Sequence, residues 1–261
     1  MQDPFTQKKQ KILSEISANG TDNLDASPKG TIDEHCLPII HLINSHPDMV
    51  TTSSCSGRVS VYLEGTQDKL VSKGNEGKWI FVTHEPAETR DWYKTVDFEY
   101  GSRFPSAAAY GTRGILYKFE ALILHVKCRD LQTSNQLYSL AMSCGFRESG
   151  IGSNFNVAIR ISIKLDVPIG FLDEDTGKYA CFVGEEYLEY LTKLSLDRFE
   201  ENFRKLKQLY DAIEKYVAGS DGAGATSENK PKDRPTWESK EERRERMMKE
   251  GLKRREELRR D

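Results

Sequence analysis

Much that would fix the class of this protein at a glance is missing from its sequence. The 261 residues hold five cysteines, Cys36, Cys55, Cys128, Cys144 and Cys181, an odd number with no CxxC pair. That scatter argues against a zinc ribbon or a disulfide framework and fits a reducing compartment. No metal site is expected from it. No apolar run approaches the roughly 20 residues of a spanning helix. Met1 to Gln10 is polar, without the apolar block of a secretory signal. The expectation is a cytoplasmic protein with no membrane partner. There is no GxGxxG after a strand, no P-loop, no HExxH and no GxSxG. The nearest glycine-rich stretch, Gly145 to Gly152, follows a helical pattern instead of a strand, so a Rossmann-type cofactor site is unsupported. A strong charge of one sign is missing too, the net charge being -3. The average hides a split. Residues 230–261 hold 13 Lys/Arg against 9 Asp/Glu, which leaves 25 basic and 32 acidic residues elsewhere. Nucleic-acid contact by the body of the chain must therefore be local.

What is present alternates between helical and strand patterns. Residues 5–17 read as a helix, with Phe5, Ile12, Leu13 and Ile16 near one face. Residues 33–45 read as a second helix, with Leu37, Ile40, Ile43 and Asn44 inward and Asp33 in its first turn. Val59, Val61 and Leu63 alternate with Arg58, Ser60 and Tyr62 as in a strand. Lys78–Thr83, Leu116–Val126 and Tyr179–Val183 read as further strands. Asp130–Cys144 is a predicted helix stopped by Gly145. The clearest pattern covers 155–167. Val157, Ile159, Ile161, Ile163, Leu165 and Val167 share one side, so one long strand with a single buried face is predicted. A long helix over about 185–217 keeps Phe199, Phe203, Leu206, Tyr210, Ile213 and Val217 at 3–4 spacing and is expected to cover a sheet. Beyond it, Gly219–Glu228 reads as a linker, and 238–260 as a charged solvated helix or disorder. The fold class is thus α+β, with a mixed or largely antiparallel sheet under covering helices. Residues 1–217 are expected to be one domain and 218–261 a charged linker and tail.

The densest polar cluster is Thr51-Thr52-Ser53-Ser54-Cys55-Ser56-Gly57-Arg58. Hydroxyls, amides at Gly57 and a guanidinium suit an anion or polar ligand; the plainer reading is a serine-rich turn. A cysteine-phosphatase loop needs Arg six positions after Cys, yet position 61 is Val61. A nucleophilic Cys55 needs a base, for which His84 and His125 are candidates. Lys29 in Ser27-Pro28-Lys29-Gly30 and Arg160 with Lys164 are candidate phosphate contacts, or a turn and a solvated face.

Four blocks in order carry a resemblance. Ser27-Pro28-Lys29-Gly30-Thr31-Ile32-Asp33, then the Thr51–Arg58 string, then Ile123-Leu124-His125-Val126, then Gly145-Phe146-Arg147-Glu148-Ser149-Gly150-Ile151 resemble the tRNA wybutosine-synthesising protein 3 family over about residues 5–217. Phe5–Gln10 and Ile43–Pro47 resemble its fungal members. The resemblance implies a methyltransferase that uses S-adenosyl-L-methionine and methylates N4 of a wyosine-type base beside the anticodon of phenylalanine tRNA. Other enzymes of the wybutosine pathway are possible partners. On that reading Ser53, Ser54, Ser56, Gly57 and Arg58 floor the cofactor or base pocket. His125 or Asp33 takes the proton that N4 loses. Lys29, Arg147, Ser149 and Arg160 meet the tRNA, and Cys55 is structural. A tRNA-binding module without catalysis and a thiol enzyme built on Cys55 are the competing readings. The first predicts no affinity for S-adenosyl-L-methionine, the second an inactive Cys55→Ser.

Overall fold

The computed structural model describes residues 3–18, 32–65, 77–101, 112–221 and 248. Lys29 lies outside the described residues, as does the expected linker beyond Asp221 and, apart from Met248, the expected charged tail. The chain divides into compact units of residues 1–219 and 220–261. The first is an α+β body with two sheets where the sequence pattern suggests one.

Among the described residues its α-helices are α1 (Pro4–Ala18), α2 (Leu37–Ser45), α3 (Leu131–Ser143) and α4 (Glu185–Asp221). A short 3-10 turn, Glu34–Cys36, leads into α2, whose Pro38 sits in the first turn, where a missing N–H costs nothing. Ile39, Ile40 and Ile43 point inward from α2, while Leu37 is exposed. Asp130 caps α3 by accepting the Thr133 N–H at 2.8 Å. Gly145, at φ 92°, ends the helix in a conformation that side chains resist.

The smaller sheet is antiparallel, in the order β1 (Met49–Cys55), β6 (Ile123–Cys128), β8 (Asn156–Arg160) and β7 (Gly150–Ile151). The larger sheet runs β3 (Lys78–Thr83), β2 (Arg58–Leu63), β5 (Gly114–Glu120), β9 (Lys164–Asp173), β10 (Lys178–Cys181) and β4 (Phe98–Tyr100). Only its β10–β4 pair is parallel. Two sequence expectations change here for one reason. Residues 116–126 are two strands, parted at Ala121-Leu122, and 155–167 are also two, parted at Ile161-Ser162-Ile163. At both breaks the chain passes from one sheet to the other. The inside–outside alternation of 157–167 continues through the break, so periodicity alone cannot reveal it. Ile161 packs against both cores.

One core lies between the smaller sheet and α2, α3 and the C-terminal half of α4, around Leu124, Val126, Val157, Ile159, Leu209 and Ile213. The other joins the larger sheet to the N-terminal half of α4, around Tyr117, Phe119, Trp92, Leu188 and Phe199. Phe199 meets Phe119 edge-on at 4.9 Å, an arrangement favourable beyond its area. The polar ends of buried aromatics are satisfied. Trp92 Nε1 donates to Thr192 Oγ1 at 3.1 Å, and the Tyr117 hydroxyl shares a 2.7 Å hydrogen bond with Ser195. Burial pushes the Tyr117 phenol up to about 12. The 37 residues of α4 thus give two sheets one shared partner. Among the described residues no helix is long and apolar enough to cross a membrane.

Candidate active site

The Thr51–Arg58 string is not one loop. Thr51 to Cys55 belong to β1, Ser56-Gly57 make the crossing between sheets, and Arg58 opens β2. Strand alternation therefore sends its side chains to different places. Ser53 lies opposite His125 on β6, and its hydroxyl is 2.8 Å from His125 Nδ1. A register shift between Thr51 and Ser53 marks a bulge, and Thr52 Oγ1 donates to the His125 carbonyl at 3.2 Å. Ser54 is opposite Leu124, on the side of the sheet that meets the helices.

The outward face of the smaller sheet gathers residues that are distant in sequence. Across the strands, Ser53 aligns with His125, His125 with Ala158, and Ala158 with Gly150. A Cβ built on Gly150 meets nothing within 4 Å. A hydroxyl–imidazole pair thus opens onto a shelf of small side chains. The next row aligns Cys55, Ile123 and Arg160. Ser149 borders the shelf, its hydroxyl accepting the Arg160 N–H at 3.1 Å. Arg160 and Arg147 are exposed, and among the described residues neither makes an ion pair.

At the crossing the expected pocket floor is an internal frame instead. Asp33, 5% exposed, accepts from the Ser56 N–H at 2.8 Å and from the Ser56 hydroxyl at 3.2 Å, both at Oδ2. Asn202 of α4 spans the same point, donating to the Ser56 carbonyl at 2.7 Å and accepting the Leu122 N–H at 2.8 Å. Gly57 stands at φ 109°, and a Cβ there meets Asn202 Nδ2 at 3.0 Å and the Glu120 carbonyl at 3.1 Å. Only glycine fits that conformation and that space. Arg58 is engaged too. Its Nε donates to Glu120 Oε2 at 2.6 Å, and its guanidinium lies 5.1 Å from the Trp79 ring centroid. Ser56, Gly57 and Arg58 are thus engaged in the frame of this crossing. Asp33, expected as an alternative proton acceptor, holds this turn through its Oδ2.

Cys55 is half-buried. Burial pushes its thiol up; nearby Asp33 and Glu120 add to the rise, against the Gly57 amide and Arg58. A neutral thiol is a poor nucleophile. His84, just past β3, places Nε2 3.9 Å from Asp33 Oδ2.

Four residues lie outside the site expected from the sequence. Asn202 sits on the apolar stripe of α4 at 0% exposure, and its amide between Phe199 and Phe203 is the one hint. Ala158 and Gly150 matter for being small, and only Gly150 falls within one of the resemblance blocks. Phe155 is exposed, with φ 60° beside Asn154 at 55°, an unusual conformation for two successive side-chain-bearing residues. The Lys127 ammonium lies 5.7 Å from the Phe155 ring centroid and donates to the Asn154 carbonyl. Burial, and then the charge of Lys8 from α1, lower the Lys127 pKa. Aromatic surface and clustered cations beside an open shelf suit a stacked base and its phosphates.

An imidazole hydrogen-bonded to a hydroxyl beside small side chains and exposed cations, in a scaffold without a Rossmann sheet, suits group transfer to an anionic substrate. The comparisons specify the class. Residues 7–215 match the family model described as Methyltransferase TYW3, and the chain belongs to the TYW3 methyltransferase family. It is 51% identical to the tRNA wybutosine-synthesizing protein 3 of Saccharomyces cerevisiae, over 98% of this chain and 96% of that protein. It is 42% identical to the Schizosaccharomyces pombe protein of the same name, over 82% and 88%. The fold is shared with the PH1069 protein of Pyrococcus horikoshii OT3, with a TM-score of 0.60 and 29% identity over 82% of this chain and 95% of that one.

Proposed function

We propose that this chain transfers the methyl group of S-adenosyl-L-methionine to N4 of the 7-aminocarboxypropyl-demethylwyosine base beside the anticodon of phenylalanine tRNA, in the cytoplasm. Family membership and the names of the relatives support the reaction. The observation that carries the site is the Ser53–His125 pair beside the Ala158–Gly150 shelf.

The residues present fit such a donor. The shelf has room above Gly150, a hydroxyl at Ser53 and, in the next row, the exposed Arg160 for a carboxylate. When bound, the donor supplies a methyl already activated by its sulfonium charge, so positioning does most of the work. The chain's own contribution is to hold the acceptor nitrogen in line and to take its proton. With Nδ1–H donating to Ser53 Oγ, His125 keeps a lone pair on Nε2 for that proton. Asp33, Ser56, Gly57, Arg58 and Asn202 fix β1 against β2 and so aim Ser53. Phe155 and Lys127 take a neighbouring base and phosphate, and Arg147 and Arg160 the remaining anionic groups. Lys29 completes the RNA contacts in this reading, and Ser54 supports β1 from the inner side. Other wybutosine-pathway enzymes deliver the substrate and receive the product.

The test is mass spectrometry of tRNA nucleosides after incubating precursor-bearing tRNA with the pure protein and methyl-labelled donor. A single added methyl on the wyosine precursor is expected, with the rate of His125→Ala reduced by about 10²- to 10⁴-fold. No methyl gain overturns the activity, and parental turnover by His125→Ala overturns the base assignment. Cys55→Ser separates the thiol mechanism, which alone demands complete loss of methyl transfer together with intact donor and tRNA binding.

A further inference from the structure

Three potential metal ligands converge where the sheets meet. Asp33 precedes the turn into α2, Cys55 ends β1, and His84 follows β3. Each comes from a different element, so their closeness is a product of the fold. One carboxylate oxygen, one imidazole nitrogen and the Cys55 sulfur all lie within 4.8 Å of one another. We propose that Asp33, Cys55 and His84 form a binding site for one thiophilic divalent cation of the zinc class.

The donor set selects the ion. Thiolate, imidazole and carboxylate together suit zinc or cobalt, whereas magnesium and calcium take oxygen ligands almost throughout. Tetrahedral zinc with bonds of about 2.0–2.3 Å sets neighbouring ligand atoms about 3.3–3.8 Å apart. The 3.9 Å between His84 Nε2 and Asp33 Oδ2 is already near that spacing, and the sulfur closes the remainder by side-chain rotation. The site is enclosed, the Asp33 and His84 side chains being 6% and 15% exposed. The Ser56 N–H and hydroxyl fix the Asp33 carboxylate through its Oδ2, as outer partners of metal ligands commonly do. A bound cation compensates both the buried carboxylate and the thiolate that forms as Cys55 gives up its proton to solvent. Three protein ligands leave a fourth position, and Cys55 lies two residues along β1 from Ser53, on the same face of the strand.

The sequence conceals this set because its members are 22 and 29 positions apart on three elements, unlike the short spacings of zinc motifs. Its effect would be to tie the approach to α2, the end of β1 and the end of β3 together.

The test uses the full chain, purified without chelator, then assayed for zinc by elemental analysis and titrated with cobalt(II). The expected result is one zinc per chain, a near-ultraviolet thiolate-to-cobalt absorption band, proton release on binding, and a melting temperature that rises with added zinc. Cys55→Ser and His84→Ala, confirmed folded by circular dichroism, lose the band, while variant His41→Ala, at an exposed histidine of α2, keeps it. A folded parent with no zinc and no cobalt band overturns the site, as does a band that survives Cys55→Ser. Neither result depends on methyl transfer, so failure here and failure of the proposed reaction are distinguishable.

Discussion

The two sheets share one long helix and differ in how their outward faces handle charge. On the larger sheet, oppositely charged residues sit across from one another. Arg58 pairs with Glu120 at 2.6 Å, and Lys118 with Asp166 at 3.4 Å. On that face Arg58, Lys118 and Lys164 stand among Glu120 and Asp166, so cations have acidic neighbours. On the smaller sheet, His125, Arg160 and Lys127 look outward from β6 and β8, and the residues across from them are small, polar or apolar instead of acidic. Arg160 and Lys127, with no carboxylate across from them and a shelf of small residues beside them, are poised for a ligand that brings its own negative charge. A chain of net charge -3 can therefore offer RNA a local positive surface, because the acids are spent elsewhere.

Three substitutions sharpen or break this contrast. The largest expected effect is at the tie between the sheets. Asn202→Ala strips partners from the Ser56 carbonyl and the Leu122 N–H, at about 1–3 kcal/mol for each buried group left unsatisfied. Chemical denaturation should show a loss of about 2–5 kcal/mol. Asn202→Leu, which keeps the volume without the pairing, should lose about as much if pairing is the cause. A much smaller loss would move the explanation to packing. Next is Phe155→Ala. A stacking surface worth about 1–3 kcal/mol per base predicts tRNA affinity down by about 5- to 150-fold, with donor binding unchanged by calorimetry. Phe155→Trp should restore most of it. Unaltered tRNA affinity in Phe155→Ala would remove RNA from that edge of the sheet. The smallest effect belongs to the face of the larger sheet. Lys118→Met breaks a partly exposed pair, worth about 0–1 kcal/mol. Thermal unfolding and tRNA binding should both stay near the parent. A clear drop in tRNA affinity would mean that both faces meet the RNA.

Local features of this molecule are legible in its sequence to the extent that they are periodic. The helices and the inward residues of β2, β6 and β8 follow from spacing, because burial on one face leaves a period in the chain. The breaks at Ala121-Leu122 and Ile161–Ile163 do not. There the chain changes hydrogen-bonding partner while its side chains keep alternating, so the division into two sheets is invisible. The site shows the same limit. The resemblance singled out Ser53 and His125, and the register sets them face to face. It also named Ser56, Gly57 and Arg58, which the structure engages through hydrogen bonds and a positive φ at the crossing. Conformation, which a motif does not encode, separates the two groups. Asn202 and Gly150 act through what they reach or leave open, and neither property has a sequence signature.

The claim on which all this turns is that methyl transfer occurs on the open shelf of the smaller sheet. Gly150→Phe tests it most directly. The added side chain starts in free space, removes no hydrogen bond, and fills the shelf next to Ala158. Single-turnover methylation of precursor tRNA by this variant, with folding verified by its melting temperature, should fall by at least about 100-fold, a loss of roughly 2.7 kcal/mol in transition-state stabilisation. A folded Gly150→Phe protein that methylates at the parental rate would place the chemistry somewhere else.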